Sequence, residues 1–451
     1  MKRLNFLVVL VGFSILIKVS FGQSSPDRSI FDKYFIDKTM RVDYIHTGDV
    51  KGEKFELAKI YPEGIWAGKT FQMIDPWQLG LYFYEVYDKA SNKLIFSQGF
   101  CSVFGEWQTT AEAKEKTLPF NETVRIPWPK SAVNVVLKKR DAKNILQPIW
   151  NINIDPAAYI ENKDNSSTLN LKVDKLLNNG DVKSKVDIVI LGDGYTAEEM
   201  DLFREDANKF VEYFFAVDPY KSRKNDFNVW AVEVVSEKSG ITLPQKDYFP
   251  KNPLETTYNT FGVDRYVLSN NDWAVKNYAA AAPYDFVVIL LNSTKYGGGG
   301  IYNLYITAAA RSDYNDYVFV HEMGHHIAGL ADEYYQSHVA YDPVNTSVEP
   351  WEFNVTALLN PDSLKWKDLV ADGTPIPTPW SKDEYEKKDS NKSLVLVNDP
   401  AAGKVGAFEG ANYLSNGMYR PQVDCIMFSK SLKFCKVCER GLNQVIDLYC
   451  K

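Results

Sequence analysis

The sequence lacks an excess of positive charge. Lys and Arg together number 51 and Asp and Glu number 58, so the formal net charge is −7 at pH 7. Basic residues form no stripe along the chain, which makes nucleic acid a poor candidate partner. The hydrophobic fraction of 45% and the charged fraction of 24% are ordinary values for a globular protein.

Long apolar runs are also scarce. The mostly apolar run at residues 6–17 has twelve residues, whereas a membrane-spanning helix needs about 20. No later segment of the sequence is both long and apolar enough to cross a bilayer. We therefore expect the protein to have no stable membrane anchor.

The first residues instead have the pattern of a signal peptide, which we assign to residues 1–22. Lys2 and Arg3 precede the apolar run, and the small residues Ser20 and Gly22 occupy the two positions that a signal peptidase reads. No cysteine follows the run directly, so we do not expect a lipid anchor. The pattern predicts export to the periplasm, the cell surface or the medium.

The rest of the chain is long enough for two domains, since domains commonly contain about 100–200 residues. Residues 23–165 contain short runs rich in Val, Ile, Tyr and Phe, separated by Asn, Asp, Gly, Pro and Lys. This pattern predicts an N-terminal all-β sandwich. The expected strands are residues 39–46, 54–60, 80–87, 93–98, 122–128, 132–139 and 145–154. We assign the following residues 166–184 to a linker and residues 185–451 to a second domain.

The predicted β-sandwich contains no recognisable catalytic set. His46 stands alone in a predicted strand, where a histidine is usually structural. Trp77, Trp107 and Trp128 could belong to the core or form a shelf for glycans. We favour the core, because large aromatic side chains dominate the packing of small cores.

The second domain begins with a change of pattern. Residues 186–191 form an apolar run typical of a buried strand, and Thr196 and Glu199 then form a capping box that starts a helix. Further apolar runs at residues 225–235 and 286–291 predict two more strands. The order strand, helix, strand, strand predicts an α/β domain.

Histidine is rare, with five in the chain, yet three of them lie within residues 321–326. Two of these belong to a His-Glu-x-x-His motif formed by His321, Glu322 and His325. On a helix, residues four apart share a face, so both imidazoles can reach one metal ion. Glu322 stands beside the first ligand, where a carboxylate can take a proton from water. The motif therefore predicts zinc-peptidase chemistry.

Catalytic zinc sites commonly use three protein ligands. In metzincins the helix ends at a glycine and the third ligand follows three residues later, which here selects Asp332 after Gly329. The segment before Gly329 is one residue longer than the usual pattern, so Glu333 remains an alternative ligand. His326 is a weaker one, because it points about 100° away from His325 on a regular helix.

The segment His-Glu-Met-Gly-His-His-Ile-Ala-Gly-Leu-Ala-Asp-Glu-Tyr at residues 321–334 resembles the signature of the IgA-peptidase-like secreted metallopeptidases of bacteria. This is a metzincin-like family. A second block, with Gly-Ala-Phe-Glu-Gly-Ala at residues 406–411 and Cys-Ile-Met at residues 425–427, is also similar to the family. The resemblance extends over nearly all of the chain that follows the signal peptide.

The resemblance implies a metzincin-like catalytic domain with bound Zn²⁺. It implies that Met427 forms a turn beneath the metal and its histidines. An edge strand that contains Gly298 and Gly299 would bind substrate as an added antiparallel strand, although a glycine-rich loop without a role remains open. Tyr419 and Arg420 could stabilise the oxyanion of the reaction or could be ordinary packing residues.

Cysteine is as rare as histidine, and four of the five cysteines lie near the C-terminus. They are Cys101, Cys425, Cys435, Cys438 and Cys450. Cys435 and Cys438 form a Cys-x-x-Cys pair, but the second pair that a zinc ribbon needs is missing. Because exported proteins meet oxidising conditions, we expect a disulfide between the turn at Met427 and the segment of Cys435 and Cys438.

These observations predict an α+β protein with an N-terminal all-β sandwich followed by a metzincin-like α/β zinc-protease domain. Its predicted activity is hydrolysis of protein or glycoprotein substrates by a secreted zinc endopeptidase. Its expected site consists of His321, His325 and Asp332 as metal ligands and Glu322 as the base. The resemblance adds immunoglobulin A and mucin-type glycoproteins as candidate substrates. The alternative function is an exported glycan-binding or protein-binding protein whose zinc is structural.

Overall fold

The computed structural model describes residues 28–160, 171–336 and 345–450. The predicted signal peptide at residues 1–22 lies outside the described residues, as does part of the predicted linker. The described chain combines antiparallel sheets in its N-terminal part with helices and a mixed sheet in its C-terminal part. This mixture agrees with the predicted α+β class. No helix in these three ranges is long and apolar enough to cross a membrane.

The N-terminal part folds as two antiparallel sheets. Its elements are α1 (Ser29–Tyr34), β1 (Phe35–Asp49), β2 (Gly52–Pro62), β3 (Tyr82–Asp88), β4 (Leu94–Phe100), α2 (Val103–Trp107), β5 (Leu118–Pro129), β6 (Val133–Arg140) and β7 (Leu146–Ile154). One sheet has the order β2-β1-β5 and the other β4-β3-β6-β7. Val42 and Ile126 from the first sheet and Val86 and Leu137 from the second belong to one buried core. The alternation of apolar side chains along each strand therefore joins the two sheets.

The three N-terminal tryptophans have different environments. Trp107 and Trp128 are buried, as expected for core residues, whereas Trp77 is 38% exposed. The Trp77 ring packs edge-on against Phe353 from the C-terminal part, with 5.6 Å between ring centroids. Trp77 thus lies where the two parts of the chain meet.

His46 is completely buried between two carboxylates. Its Nδ1 lies 3.0 Å from Glu122 Oε2 and its Nε2 lies 2.9 Å from Glu53 Oε2. Burial lowers the pKa of His46, but the two carboxylates raise it more, so that the net shift is upward from 6.5. A proton on the imidazole therefore ties β1 to β2 and β5.

The raised pKa of His46 makes the stability of the protein depend on pH. A raised pKa in the folded state stabilises the fold below the unfolded pKa, and that stabilisation is lost as pH rises through the folded pKa. We expect the wild-type free energy of unfolding to exceed that of His46→Gln most at acidic pH. This difference in the free energy of unfolding should become smaller as pH rises. Urea unfolding of both proteins across a pH series measures this difference, and a gap that is constant with pH would contradict it.

The C-terminal part contains a six-stranded sheet, two small two-stranded sheets and most of the helices. Its elements are β8 (Val173–Leu177), β9 (Val186–Asp193), α3 (Met200–Phe214), β10 (Phe227–Val232), β11 (Thr256–Thr257), β12 (Leu268–Ser269), α4 (Asp272–Ala279), β13 (Phe286–Leu291), β14 (Gly298–Ile301), β15 (Tyr305–Ala309), α5 (Asn315–Ala328), α6 (Lys382–Glu386), α7 (Lys392–Asn398), β16 (Phe408–Ala411), β17 (Leu414–Arg420) and α8 (Lys436–Tyr449). The six-stranded sheet has the order β14-β15-β13-β9-β10-β8. Its four central strands run parallel, and β14 and β8 are antiparallel edges.

The large sheet is covered on both faces. All eight residues of β9 are buried, which explains why its central residues 188–191 are continuously apolar rather than alternating. Ile188 and Ile190 point into a core shared with α3, α5 and α8, whereas Val189 and Leu191 point into a core shared with α4. Helix α5 therefore lies on one face of the sheet, next to β14 and β15.

The N-terminal sheets contact the C-terminal part directly. The backbone N–H of Cys101 donates to the carbonyl of Tyr302 over 3.0 Å. Arg125 donates to the carbonyl of Tyr284 over 3.0 Å and stacks on its ring, 3.5 Å from the centroid. Since α2 begins two residues after Cys101, these contacts place α2 beside β14.

Candidate active site

Helix α5 carries the His-Glu-x-x-His motif and ends at Gly329, as the sequence predicts. Gly329 has a φ of 56° and a ψ of 36°, the left-handed conformation that glycine adopts at helix ends. A Cβ atom there would also lie only 2.7 Å from the ring of Trp351. The chain therefore needs glycine at this position in order to turn back towards the histidines.

Three candidate metal ligands meet after this turn. The Nε2 atoms of His321 and His325 lie 3.1 Å apart, and Asp332 Oδ1 lies 3.0 Å from the first and 3.3 Å from the second. Such separations suit three ligands around one zinc ion with bonds of about 2.0–2.2 Å. Asp332 Oδ1 is buried and accepts no hydrogen bond. The donor set therefore fits a cation.

The outer nitrogens of both histidines are held by backbone carbonyls. His321 Nδ1 lies 2.9 Å from the carbonyl oxygen of Ile426, and His325 Nδ1 lies 2.5 Å from that of Leu330. A carbonyl can only accept, so each Nδ1 carries the proton. In a neutral imidazole this leaves the Nε2 lone pair for a metal.

The same groups shift one another's protonation. Burial lowers the pKa of His325, but Asp332 and Glu322 raise it more, to about 9. Burial acts to raise the pKa of Asp332, yet the charges of His325 and His321 hold it well below its usual range. Without a metal, a proton on His325 takes the place of the cation. A metal must therefore displace that proton.

Glu322 lies beside this cluster on the same helix. Burial raises the pKa of its carboxyl, and the neighbouring His321 and His325 oppose that shift without cancelling it. The carboxylate passes close to β14, because a Cβ atom at Gly300 would lie 2.8 Å from Glu322 Oε2. Any residue other than glycine at position 300 would displace the Glu322 carboxylate.

A cavity of about 320 Å³ opens in front of the cluster. Its lining includes the histidines, Glu322 and Asp332, together with Gly298 and Gly300 of β14. The N-terminal part supplies the facing wall. Its lining residues are Leu81, Cys101, Ser102, Gly105, Glu106 and Thr109. The site is thus a cleft between the two parts of the chain.

Several cavity residues have no recognisable sequence signal. Glu106 on α2 is half-buried. Desolvation of its carboxyl group raises the pKa to about 7, and it accepts a hydrogen bond from the Tyr266 hydroxyl. The Tyr413 hydroxyl donates to Asp332 Oδ2, which fixes that carboxylate beside the histidines. Arg265 and Tyr334 also line the cavity. The fold places these residues at the site, and their spacing in the sequence does not indicate it.

The two alternative third ligands lie elsewhere. Glu333 Oε1 is 3.2 Å from Cys438 Sγ, in a separate buried cluster. His326 accepts a hydrogen bond from the Val287 N–H through Nε2, and its Nδ1 lies 3.0 Å from the carbonyl of Ile301. Burial lowers the pKa of His326 to about 3, so it is a neutral packing residue.

Met427 lies directly beneath the motif helix. A Cβ atom at Gly324, between the two motif histidines, would lie 3.1 Å from Met427 Sδ. The carbonyl of Met427 accepts a hydrogen bond of 2.8 Å from the N–H of Glu333. The turn that contains Met427 therefore contacts both the helix and the segment that follows it.

The candidate substrate-binding residues divide into two groups. Gly298 lines the cavity, but its N–H and C=O pair with the backbone of Arg265 and Val267. In an antiparallel strand, residues two apart direct their backbone groups to the same edge, so Gly300 presents its own groups to the cavity side. Gly299 faces the Tyr266 ring and does not line the cavity.

Arg420 and Tyr419 do not line the cavity either. Arg420 is completely buried and donates to the carbonyl of Gly410 over 2.6 Å, with its guanidinium stacked on Phe428 at 3.8 Å. Tyr419 pairs through its backbone with Thr356. In this arrangement both are packing residues, which was the alternative open from the sequence.

Comparison with known families covers both parts of the chain. The profile described as IgA Peptidase M64 matches residues 175–394 and 387–446, and the profile described as Peptidase M64 N-terminus matches residues 30–151. No curated protein matches the chain significantly. The first profile alone extends over more than half of the sequence and includes the motif helix and the turn of Met427. The chain therefore belongs to the IgA peptidase M64 family.

Proposed function

We propose that this peptidase is an exported, zinc-dependent endopeptidase that cleaves proteins or glycoproteins. One observation carries the proposal: the donor cluster of His321, His325 and Asp332 and the carboxylate of Glu322 share one wall of an open cavity. A purely structural metal site would need ligands but no neighbouring base. This combination therefore favours an enzyme over a binding protein with a structural zinc.

The residues of the site divide the chemistry among them. Zinc, when bound, supplies a Lewis acid that polarises the scissile carbonyl and makes a water molecule more acidic. Glu322 accepts a proton from the attacking water and delivers it to the nitrogen of the leaving amine. Its raised pKa suits both steps, because the carboxyl must hold the proton between them. The Nδ1–H groups of His321 and His325 donate to backbone carbonyls throughout the reaction.

Three features of the catalytic part bear on the metzincin-like assignment. Helix α5 packs next to β14, the antiparallel edge strand of the sheet. The turn at Gly329 returns the chain to the histidines, and Met427 packs under the helix at Gly324. These three relations support the metzincin-like assignment.

We infer that substrate binds as an extended chain along the free part of β14. Gly300 is the position at which backbone groups face the cavity. Because glycine has no Cβ, the backbone of a substrate can approach it closely. Helix α2, with Glu106, closes the other side of the cleft.

Export and the identity of the substrate rest on the sequence. The signal-peptide pattern of residues 1–22 supports secretion, and the family description names immunoglobulin A. Immunoglobulin A and mucin-type glycoproteins are therefore the first substrates to test.

Cleavage-site profiling of a peptide library with the purified protein tests this function. We expect cleavage at internal bonds, loss of cleavage after chelation and its return with added zinc. Release of single terminal residues would contradict endopeptidase activity. Cleavage that continues unchanged in a zinc-free protein would contradict the role of the metal.

The pH dependence of zinc binding gives a further prediction. Because zinc must displace the proton that His325 holds up to about pH 9, affinity should increase with pH by about tenfold per unit for each displaced proton. The free zinc concentration that restores half of the peptidase activity should thus fall as pH rises through the neutral range. A half-saturating concentration that does not change with pH would contradict this competition.

A further inference from the structure

We propose that three buried cysteines and one buried glutamate bind a structural zinc ion, separate from the candidate active site. The four residues are Glu333, Cys425, Cys435 and Cys438. One ligand atom from each lies within 4.8 Å of the others, and all four residues are buried. Four protein donors without access to water are the mark of a structural zinc site, whereas catalytic sites keep one position open.

The distances between the donors suit a tetrahedron. Zinc–sulfur bonds of about 2.3 Å place tetrahedral sulfurs about 3.8 Å apart. Cys425 Sγ and Cys438 Sγ are separated by 3.8 Å, and Glu333 Oε1 lies 3.2 Å from the sulfur of Cys438 and 3.8 Å from that of Cys435. These distances allow the carboxylate to act as the fourth ligand beside the three thiols.

Backbone N–H groups surround the sulfurs. Cys435 N–H and Met427 N–H donate to Cys425 Sγ over 3.2 and 3.5 Å, and Cys438 N–H donates to Cys435 Sγ over 3.4 Å. Cys435 also caps the N-terminus of α8, where the helix dipole favours negative charge. Hydrogen bonds of this kind stabilise the thiolate form that binds metals.

The carboxylate of Glu333 needs a cation. Glu333 is completely buried; Oε1 accepts a hydrogen bond from the Asn354 side chain, whereas Oε2 has no hydrogen-bond partner. A buried carboxylate is costly unless it is paired or bound to a metal. Zinc would neutralise this carboxylate, and the thiols would release their protons to solvent as it binds.

A disulfide is the competing arrangement. Three thiols cannot pair with one another completely, so one disulfide would leave a buried free cysteine beside Glu333. All five cysteines are free in the structure. A metal would bind all three cysteines and the glutamate, whereas a disulfide would join only two of these four residues.

The second site would support the candidate active site. Glu333 directly follows Asp332, and Cys425 directly precedes Ile426, whose carbonyl holds His321 Nδ1. The proposed zinc thus ties together the segment after α5, the turn of Met427 and the start of α8. We assign it a positioning role, because none of its ligands lines the cavity.

Metal analysis and X-ray absorption of the purified protein test this proposal. We expect about two zinc ions per chain, one for each donor cluster, and zinc–sulfur bonds of about 2.3 Å. In His325→Ala the remaining zinc should be bound mainly by sulfur. Denatured, chelated protein should react with an alkylating agent at all five cysteines without prior reduction. These measurements need no variant of the cysteine cluster.

Two cysteine variants add a matched comparison. Cys438→Ser should lose the sulfur-bound zinc, whereas Cys450→Ser, outside the cluster, should retain it. If Cys438→Ser does not fold, the wild-type and His325→Ala measurements still test whether the cysteine cluster binds zinc. A single zinc per chain without sulfur ligands would overturn the proposal. So would alkylation of only three cysteines, because a disulfide would then hide two.

Discussion

Replacing Glu322 by Gln is expected to abolish most of the peptidase activity while the zinc content stays unchanged. The amide has nearly the same shape as the carboxylate, but it cannot accept a proton from water. General acid–base catalysis commonly contributes about 10²–10⁴-fold to the rate, so kcat/KM should fall by at least that range. Steady-state kinetics and metal analysis on the same preparation measure both quantities.

Glu352→Gln provides a matched control for this variant. Glu352 is another half-buried glutamate that lines the same cavity, and the proposed mechanism gives it no part. Its change to Gln should leave kcat/KM within a few-fold of the wild type. If Glu322→Gln retained both zinc and near-normal turnover, the assignment of the base would be wrong.

Replacing Asp332 by Ala is expected to remove the zinc held by the two motif histidines. Asp332 Oδ1 is the only acidic oxygen placed within 3.3 Å of both Nε2 atoms in the described part of the chain. Its loss should weaken zinc binding far more than loss of an outer partner, which typically costs about 10–100-fold. Crystals analysed by zinc anomalous scattering would show the histidine site empty.

Two variants serve as comparisons for Asp332→Ala. Tyr413→Phe removes only the hydroxyl that donates to Asp332 Oδ2, so it should show the smaller, 10–100-fold effect. Glu333→Ala should leave zinc on the histidines and empty the cysteine cluster. If Glu333→Ala emptied the histidine site and Asp332→Ala did not, Glu333 would be the third ligand.

The sequence contains enough information to locate the motif helix and its end. The spacing of His321 and His325 follows from the helical period, and Gly329 is the residue that a left-handed helix end requires. The choice between Asp332 and Glu333 needed coordinates. Neighbouring residues on a non-helical segment point in different directions, and a single-residue shift in the turn exchanges their roles.

The sequence did not predict contacts between residues that are far apart in the chain. Glu106 reaches the cavity because α2 lies beside β14, and nothing around position 106 indicates that partner. Glu333 and Cys438 are 105 residues apart, so no local pattern connects them. Arg420 resembled a cavity residue by its position in the second block, but its guanidinium satisfies buried carbonyls instead.

The expected edge strand illustrates an intermediate case. The resemblance implied a strand at the sheet edge over the glycine run, and β14 is the outermost strand of its sheet. The sequence could not show that Arg265 and Val267 pair with Gly298. This pairing leaves Gly300 as the position where an added strand would meet the cavity.

Zinc-dependent hydrolysis is the central claim, and stepwise return of zinc to chelated protein tests it most directly. The measured quantity is kcat/KM for a peptide found by library profiling, with zinc on the histidine site followed in parallel. We expect activity to disappear with that zinc, to return in proportion to its binding, and never to return in His325→Ala. Hydrolysis by protein whose histidine site is empty, or no hydrolysis once that site is full, would contradict the account.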